Sequence, residues 1–225
     1  MILINEIYPA HQGEGPFIGT PSIFVRTHLC PVKCEWCDTP FTWDGSEKGE
    51  KLSHADLSKS LQNDYNGIRH IVWTGGEPLV QRELPYVIRE LSDLGFTHEI
   101  ETSAALVPKN FDEWISVKAN FNLSPKLMSA RPKLEPDAAI LRRFYTLTQS
   151  VFKIVVADDL DLHEAVRLIE LVGNVDPQDV YLMPCGTTRQ EIVDGLKWLM
   201  PKALDLGFKV TTRMHVTAFG DKRGT

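Results

Sequence analysis

Three of the four cysteines fall in one short run, Cys30-Pro-Val-Lys-Cys34-Glu-Trp-Cys37, followed at once by Asp38 and Thr39. A C-x3-C-x2-C spacing offers three thiolates from a single loop, soft donors suited to iron–sulfur clusters, zinc or copper(I). A four-iron cubane is ordinarily held by four cysteines, so three protein thiolates would leave one iron open. Zinc competes with that reading: Cys3His is a structural zinc set, and His28 lies just before Cys30. Thiols that pack without binding anything are the third reading. The spacing alone leaves all three open. Cys185 adds a further ambiguity, since it either completes a four-cysteine site in space or is simply buried.

Other polar residues carry weaker signals. Gly75-Gly76 frees the backbone for close approach to a ligand, or makes an ordinary turn into a helix that starts at Glu77-Pro78. Gln12-Gly13-Glu14-Gly15 is a turn or a ligand loop. Arg26 ends the apolar run Ile23-Phe-Val-Arg26, where it either pairs with a carboxylate or clamps an anion bidentately. His11, His215 and Lys126 each have a structural reading beside the functional one.

The elements that must position these residues alternate between strand and helix. Strand character marks Ile2–Tyr8, Ser22–Arg26, His70–Trp73, His98–Glu101, Phe121–Leu123, Val151–Val156, Val180–Leu182 and Phe208–Thr212. Helical spacing marks segments opened by a Ser53-to-Asp56 capping box, through Leu84 to Leu91 and stopping at Gly95, and over Ala138–Leu147. Two more run from Asp159 to Gly173 and over Gln190–Leu206, despite Pro201. Such alternation predicts an α/β fold, a mostly parallel sheet with helices outside. The charge run Glu47-Lys48-Gly49-Glu50-Lys51 reads as a solvated loop. With no linker or repeat, residues 1–225 read as a single domain. Thr74–Glu77, Glu101–Ser103, Ser124–Lys126, Met183–Gly186 and Arg213–His215 all follow predicted strands, on the face where parallel sheets bind ligands.

A net charge of −6 and pI near 5.6 argue against a broad nucleic-acid footprint. No stretch approaches the ~20 apolar residues that span a bilayer. The N-terminus lacks the basic region and cleavage site of a signal peptide, so a reducing cytoplasm is expected and a disulfide framework is not.

Taken together, these residues resemble the radical S-adenosylmethionine (SAM) superfamily, and within it the 7-carboxy-7-deazaguanine synthase family. The likeness runs from Ile4-Asn-Glu6 through Gln12–Gly15, Ile23–Arg26, Cys30–Thr39, Thr74–Pro78, Ile100–Ser103 and Ser124–Lys126 to His215. The cysteine motif and Gly-Gly-Glu mark the superfamily; Gln-Gly-Glu-Gly, Cys-Asp-Thr, Glu-Thr-Ser and Ser-Pro-Lys in this order mark the synthase family. The resemblance implies a trimmed (partial) β/α barrel, usually dimeric. It assigns Cys30, Cys34 and Cys37 to a [4Fe-4S] cluster and Thr39 to Mg2+. It assigns Trp36, Cys37, Asp38, Gly75, Gly76, Glu77, Ser124, Pro125, Lys126, Met183, Pro184, Cys185 and Gly186 to contact with SAM. Substrate contact falls to His11, Gln12, Gly13, Glu14, Arg26, Thr74, Glu101, His215 and Thr225. With Cys185 in the SAM segment, a fourth cysteine ligand is not expected.

The implied reaction converts 6-carboxy-5,6,7,8-tetrahydropterin to 7-carboxy-7-deazaguanine with loss of ammonia, using an electron donor such as flavodoxin or ferredoxin. The chain departs from the family at Ser103-Ala104-Ala105, where relatives often have a glycine. Its tail after His215 is longer than in relatives whose terminal carboxylate reaches the substrate. A radical SAM activase that installs a glycyl radical shares the cysteines and Gly-Gly-Glu, and a non-catalytic zinc module shares the cysteines alone.

Overall fold

The computed structural model describes residues 1–65 and 67–225. Its strands are β1 (Ile2–His11), β2 (Pro21–Thr27), β3 (Glu50–Leu52), β4 (His70–Gly75), β5 (Thr97–Thr102), β6 (Asn120–Leu123), β7 (Gln149–Val156), β8 (Val180–Pro184) and β9 (Lys209–Val210). The helices are α1 (His54–Asn63), α2 (Leu84–Asp93), α3 (Phe111–Ile115), α4 (Ala138–Leu147), α5 (Asp159–Val172), α6 (Arg189–Leu206) and α7 (Met214–Phe219). All nine strands join one sheet in the order β3-β1-β2-β4-β5-β6-β7-β8-β9. From β2 to β9 every pairing is parallel, while β1 runs antiparallel to β2 and β3. The ends β3 and β9 do not pair, so the sheet is a partial barrel rather than a closed one.

Side chains alternate along a strand, and that alternation sorts the two faces. Ile71, Trp73, Ile100, Phe121, Phe152 and Ile154 join a core with Leu84, Val87 and Leu91 of α2, Phe144 of α4 and Leu162 and Ile169 of α5. Their sequence neighbours Glu99, Glu101, Asn122 and Lys153 occupy the opposite, inner face. There Glu101 is level with Asn122 across β5 and β6. Outward residues make the core and inward residues make the site.

Four elements depart from the sequence reading. The supposed solvated loop contributes β3, an edge strand that pairs Glu50, Lys51 and Leu52 with Ile4, Leu3 and Ile2. Charged residues suit an exposed edge because they discourage pairing with other chains. The short helices α3 and α7 have no side-chain N-cap and too few residues for a periodic signal. The last strand contracts to Lys209–Val210 because Gly207, at φ 71°, closes α6 and Phe208 N–H bonds back to Ala203 O at 2.9 Å.

The Ser53 capping signal is only partly realised, and a box the sequence reading did not name forms on α6. Ser53 Oγ accepts the Asp56 N–H at 3.1 Å, but the Asp56 carboxylate takes the Ser53 hydroxyl at 2.6 Å, so only half a capping box forms. The full box sits on α6, where Thr188 and Glu191 satisfy each other's backbone N–H groups, and the helix runs on through Pro201.

Candidate active site

A cavity of about 590 Å³ opens where the parallel strands end, and Cys30, Cys34 and Cys37 all line it. Their loop turns through left-handed backbone at Leu29 (φ 79°) and Lys33 (φ 48°). It is fastened from outside by Glu35 N–H to Ala130 O at 2.9 Å and Lys133 N–H to Val32 O at 2.7 Å. Val32 and Cys34 bury against Ala105 and Ala130, and Cys30 and Cys37 pack on the same patch. Burial pushes the Cys30 thiol up to about 11, against the pull of the Lys33 N–H; burial also raises Cys34 and Cys185.

Three soft donors on one apolar patch suit a metal–sulfur group. Among the described residues, no three His, Cys, Asp or Glu side chains converge on a single-ion position. His28 is engaged elsewhere, its Nδ1 meeting Asn5 Oδ1 at 2.8 Å. This geometry does not carry the Cys3His zinc reading. By donor chemistry, three thiolates with no fourth cysteine in their loop fit a cubane with one iron left open.

The loop rests on the end of β4. At Gly75, with φ 115°, a Cβ would collide with the Thr27 backbone, and one on Gly76 would collide with Leu29 O. Their absence lets Gly76 N–H reach Thr27 O at 2.9 Å and Glu77 N–H reach Leu29 O at 2.8 Å. The glycines thus serve close chain packing as well as lining the cavity. The Glu77 carboxylate accepts from Thr102 Oγ1 and Ser103 Oγ, each at 2.6 Å, and from the Ser103 and Leu79 N–H groups. Its side chain ties the β4 end to the β5 end.

The opposite end of the cavity is ionic. Lys153, 5% exposed, places Nζ 2.6 Å from both Glu14 Oε2 and Glu101 Oε2. Glu101 also accepts from Asn122 Nδ2 at 3.0 Å, and Asn122 bonds Glu99 as well. Gln12 donates to Glu99 at 2.7 Å and accepts the Glu14 N–H at 3.1 Å. Burial alone would raise the Glu14 carboxyl, but Lys153, Arg213 and His215 together hold it well below the usual carboxylate range. Burial raises Glu101, with Glu99 and Glu14 adding to that and Lys153 only partly offsetting it. Burial would lower Lys153, yet the two carboxylates beside it raise it and keep it charged. Burial lowers His215.

The cavity gathers most sequence candidates. Trp36, Asp38, Thr39, Lys126, Met183 and Cys185 line the cysteine side with Ser124 and Gly186. His11, Gln12, Gly13, Arg26, Thr74 and His215 line the ionic side with Glu14 and Glu101. Gly13 is needed because His215 Nδ1 occupies the space of its missing Cβ. Thr225 also lines the cavity, so the longer tail folds back onto the site. Two candidates do not line it: Pro125 is buried, and Pro184 packs against Gly195 of α6. Arg26 is not free for a two-pronged clamp, because Nε donates to Glu6 at 2.6 Å and Nη2 to Tyr8 Oη at 2.9 Å.

Lys153, Glu99 and Asn122 escaped the sequence reading as site residues, and Arg213 entered it only as part of the polar strand end Arg213–His215. The one available signal was a lysine inside Val151–Val156, an apolar run otherwise suited to a buried parallel strand.

Residues 24–199 match the radical SAM superfamily. The chain is 34% identical over 227 residues to the 7-carboxy-7-deazaguanine synthase of Pyrobaculum aerophilum, covering 99% of this chain and 97% of that one. It is 32% identical over 242 residues to that of Rhodopirellula baltica, covering 100% and 89%. The crystal structure of QueE from Escherichia coli superposes with a TM-score of 0.74 at 26% identity, covering 95% of this chain and 94% of that one.

Proposed function

The chain belongs to the radical SAM superfamily and, within it, to the 7-carboxy-7-deazaguanine synthases, and from that premise we propose how this cavity works. The enzyme is a lyase that converts 6-carboxy-5,6,7,8-tetrahydropterin to 7-carboxy-7-deazaguanine with loss of ammonia, in queuosine biosynthesis. The observation that carries this reading is the pairing of three unshared thiols with a buried acid–lysine network in one cavity.

Cys30, Cys34 and Cys37 would hold the [4Fe-4S] cluster, leaving one iron for the amino and carboxylate groups of SAM. When bound and reduced, the cluster and SAM supply a carbon-centred radical able to take hydrogen from the pterin. The stretch from Trp36 to Asp38, the Gly75-Gly76 backbone, Ser124, Lys126 and the segment Met183 to Gly186 hold SAM beside the cysteines. Thr39, whose Oγ1 lies 3.7 Å from Cys37 Sγ, would offer its hydroxyl oxygen to Mg2+, which would supply charge stabilisation beside the substrate.

On the ionic side, Glu14 and Glu101 accept N–H groups of the pterin, and Gln12 and His215 fix the ring edge. Arg26 meets the substrate carboxylate through the Nη1 edge left beside its Glu6 and Tyr8 bonds. The tail at Thr225, which lines the cavity, contacts the substrate. Among the described residues no helix is long and apolar enough to cross a membrane. We place the enzyme in the cytoplasm as a homodimer served by a flavodoxin- or ferredoxin-type reductant.

Anaerobic reconstitution followed by incubation with SAM, Mg2+, a reductant and the pterin tests the reading. Equal amounts of 7-carboxy-7-deazaguanine and ammonia are expected. Deoxyadenosine release without any deazaguanine, whatever pterin is offered, would move the protein to another branch of the superfamily, such as an activase.

A further inference from the structure

Arg213 has no assigned role, yet it reaches both ends of the cavity. Its guanidinium, 12% exposed, makes three contacts with three separate segments. Nη2 donates to Asp38 Oδ2 at 2.7 Å, beside the cysteine loop. Nη1 donates to Gly186 O at 2.9 Å, at the end of β8. Nε donates to Glu14 Oε1 at 3.1 Å, in the loop after β1. The strip that carries Arg213 is itself docked along the Glu14 loop, with Gly15 N–H on Thr211 Oγ1 at 2.8 Å and Met214 N–H on Gly13 O at 2.9 Å. Beyond Glu14 the chain of charges continues to Lys153 and Glu101.

We infer that Arg213 is a positioning residue that couples the SAM end of the cavity to the pterin end. This rests on the functional reading above, in which Asp38 and Gly186 face SAM and Glu14 faces the pterin. A planar guanidinium with donors in a fixed fork cannot turn to follow one partner without disturbing the others. When SAM fixes Asp38 and Gly186, the guanidinium is fixed as well, and Glu14 is presented to the pterin in one orientation. Coupling of this kind is reciprocal: each ligand raises the affinity for the other by the same factor. It also keeps SAM cleavage in step with a correctly placed substrate.

The test measures pterin affinity anaerobically on reconstituted protein with and without SAM, by calorimetry. The wild type is expected to bind the pterin roughly 5-fold or more tightly when SAM is present, the lower range of ordinary coupling between sites. Arg213→Ala should bring that ratio close to one and raise the yield of deoxyadenosine per deazaguanine. Arg213→Lys, which keeps the charge and loses the fork, should fall between the two. Asp38→Asn takes the charge from a single arm at a half-exposed position, leaving only a neutral acceptor, and should lower the ratio while leaving the Glu14–Lys153 pair in place.

A wild-type ratio near one overturns the inference, as does a full ratio in Arg213→Ala. If Arg213→Ala does not keep its fold, Asp38→Asn decides: a lowered ratio supports coupling and an unchanged ratio overturns it. Failure of the wild type to make any deazaguanine is a different result, and counts against the functional reading.

Discussion

At the cysteine end of the cavity, backbone-to-backbone bonds from Gly76 to Thr27, Glu77 to Leu29, Glu35 to Ala130 and Lys133 to Val32 fix the chain, joined by the Glu77 carboxylate on Thr102 and Ser103. At the ionic end charge dominates: Lys153 meets two carboxylates and Arg213 meets Glu14, with one backbone bond from Met214 N–H to Gly13 O beside them. Backbone contacts hold a shape whatever the side chains carry, so the sulfur atoms stay uncommitted. An ionic network holds its shape only while every member keeps its charge, because a buried charge that loses its partner is costly. One end is thus arranged to receive a group that the chain cannot make. The other presents charges already fixed before substrate arrives.

The largest expected effect lies at the cysteine end. Cys34→Ala should reduce iron from about four per chain to almost none and abolish turnover, while Cys185→Ser should keep its iron. Iron analysis and visible absorbance check this, and a full complement of iron in Cys34→Ala would remove the cysteine loop from its role.

Next comes Lys153→Met, which leaves Glu101 and Glu14 facing each other without their shared cation. Breaking a buried pair costs about 3–5 kcal/mol, to be read from urea unfolding of the reconstituted enzyme. Adding Glu101→Gln should restore part of the loss. If Lys153→Met changes stability by under about 1 kcal/mol, the pterin end is not held by ions as described.

Arg26→Ala should act on binding. A charge-assisted bond contributes roughly 1.5–3 kcal/mol, so pterin affinity should fall about 10- to 100-fold with SAM affinity unchanged. Equal loss of both would mean that Arg26 serves only its bonds to Glu6 and Tyr8.

The smallest effect comes from outside both ends. His98 sits under the helices, 1% exposed, and accepts the Trp73 indole N–H at 3.1 Å. Burial, with His70 adding, lowers its pKa from 6.5 to about 4. The unfolded chain therefore binds a proton that the folded chain refuses between those values. The stability His98 provides is full above pH 6.5 and is lost as pH falls toward 4. Between pH 6.5 and 5 this amounts to about 1.5 kcal/mol. Glu14, held below the usual carboxylate range, keeps its charge across that interval. His98→Gln should flatten the slope measured by urea unfolding at several pH values. An unchanged slope would move the acid sensitivity onto the ionic end.

The two ends also differed in how far the sequence revealed them. Three cysteines in one loop announce a ligand set because their spacing is local, and a loop of that length must bring them near one another. Alternating strand and helix signals gave the parallel sheet for the same reason, since period and caps are properties of neighbours. The core strands from β4 to β8 followed. β3, α3 and α7 did not, being too short for a period and held by partners far along the chain.

At the ionic end, Glu14, Glu101 and His215 stood out in polar segments and took a substrate role only through family likeness, Arg213 was named only within a polar strand end, and Lys153 was not singled out. What the sequence determined by itself was the kind of sheet, a cluster of three thiols in one loop and the polar strand ends. Tertiary structure decided which charges meet. Residues 14, 38, 101, 153 and 213 become neighbours only when the strands take their places in the sheet. Lysine inside an apolar strand is then stabilised by two carboxylates that no local pattern supplies, because Coulomb attraction depends on distance in space rather than along the chain.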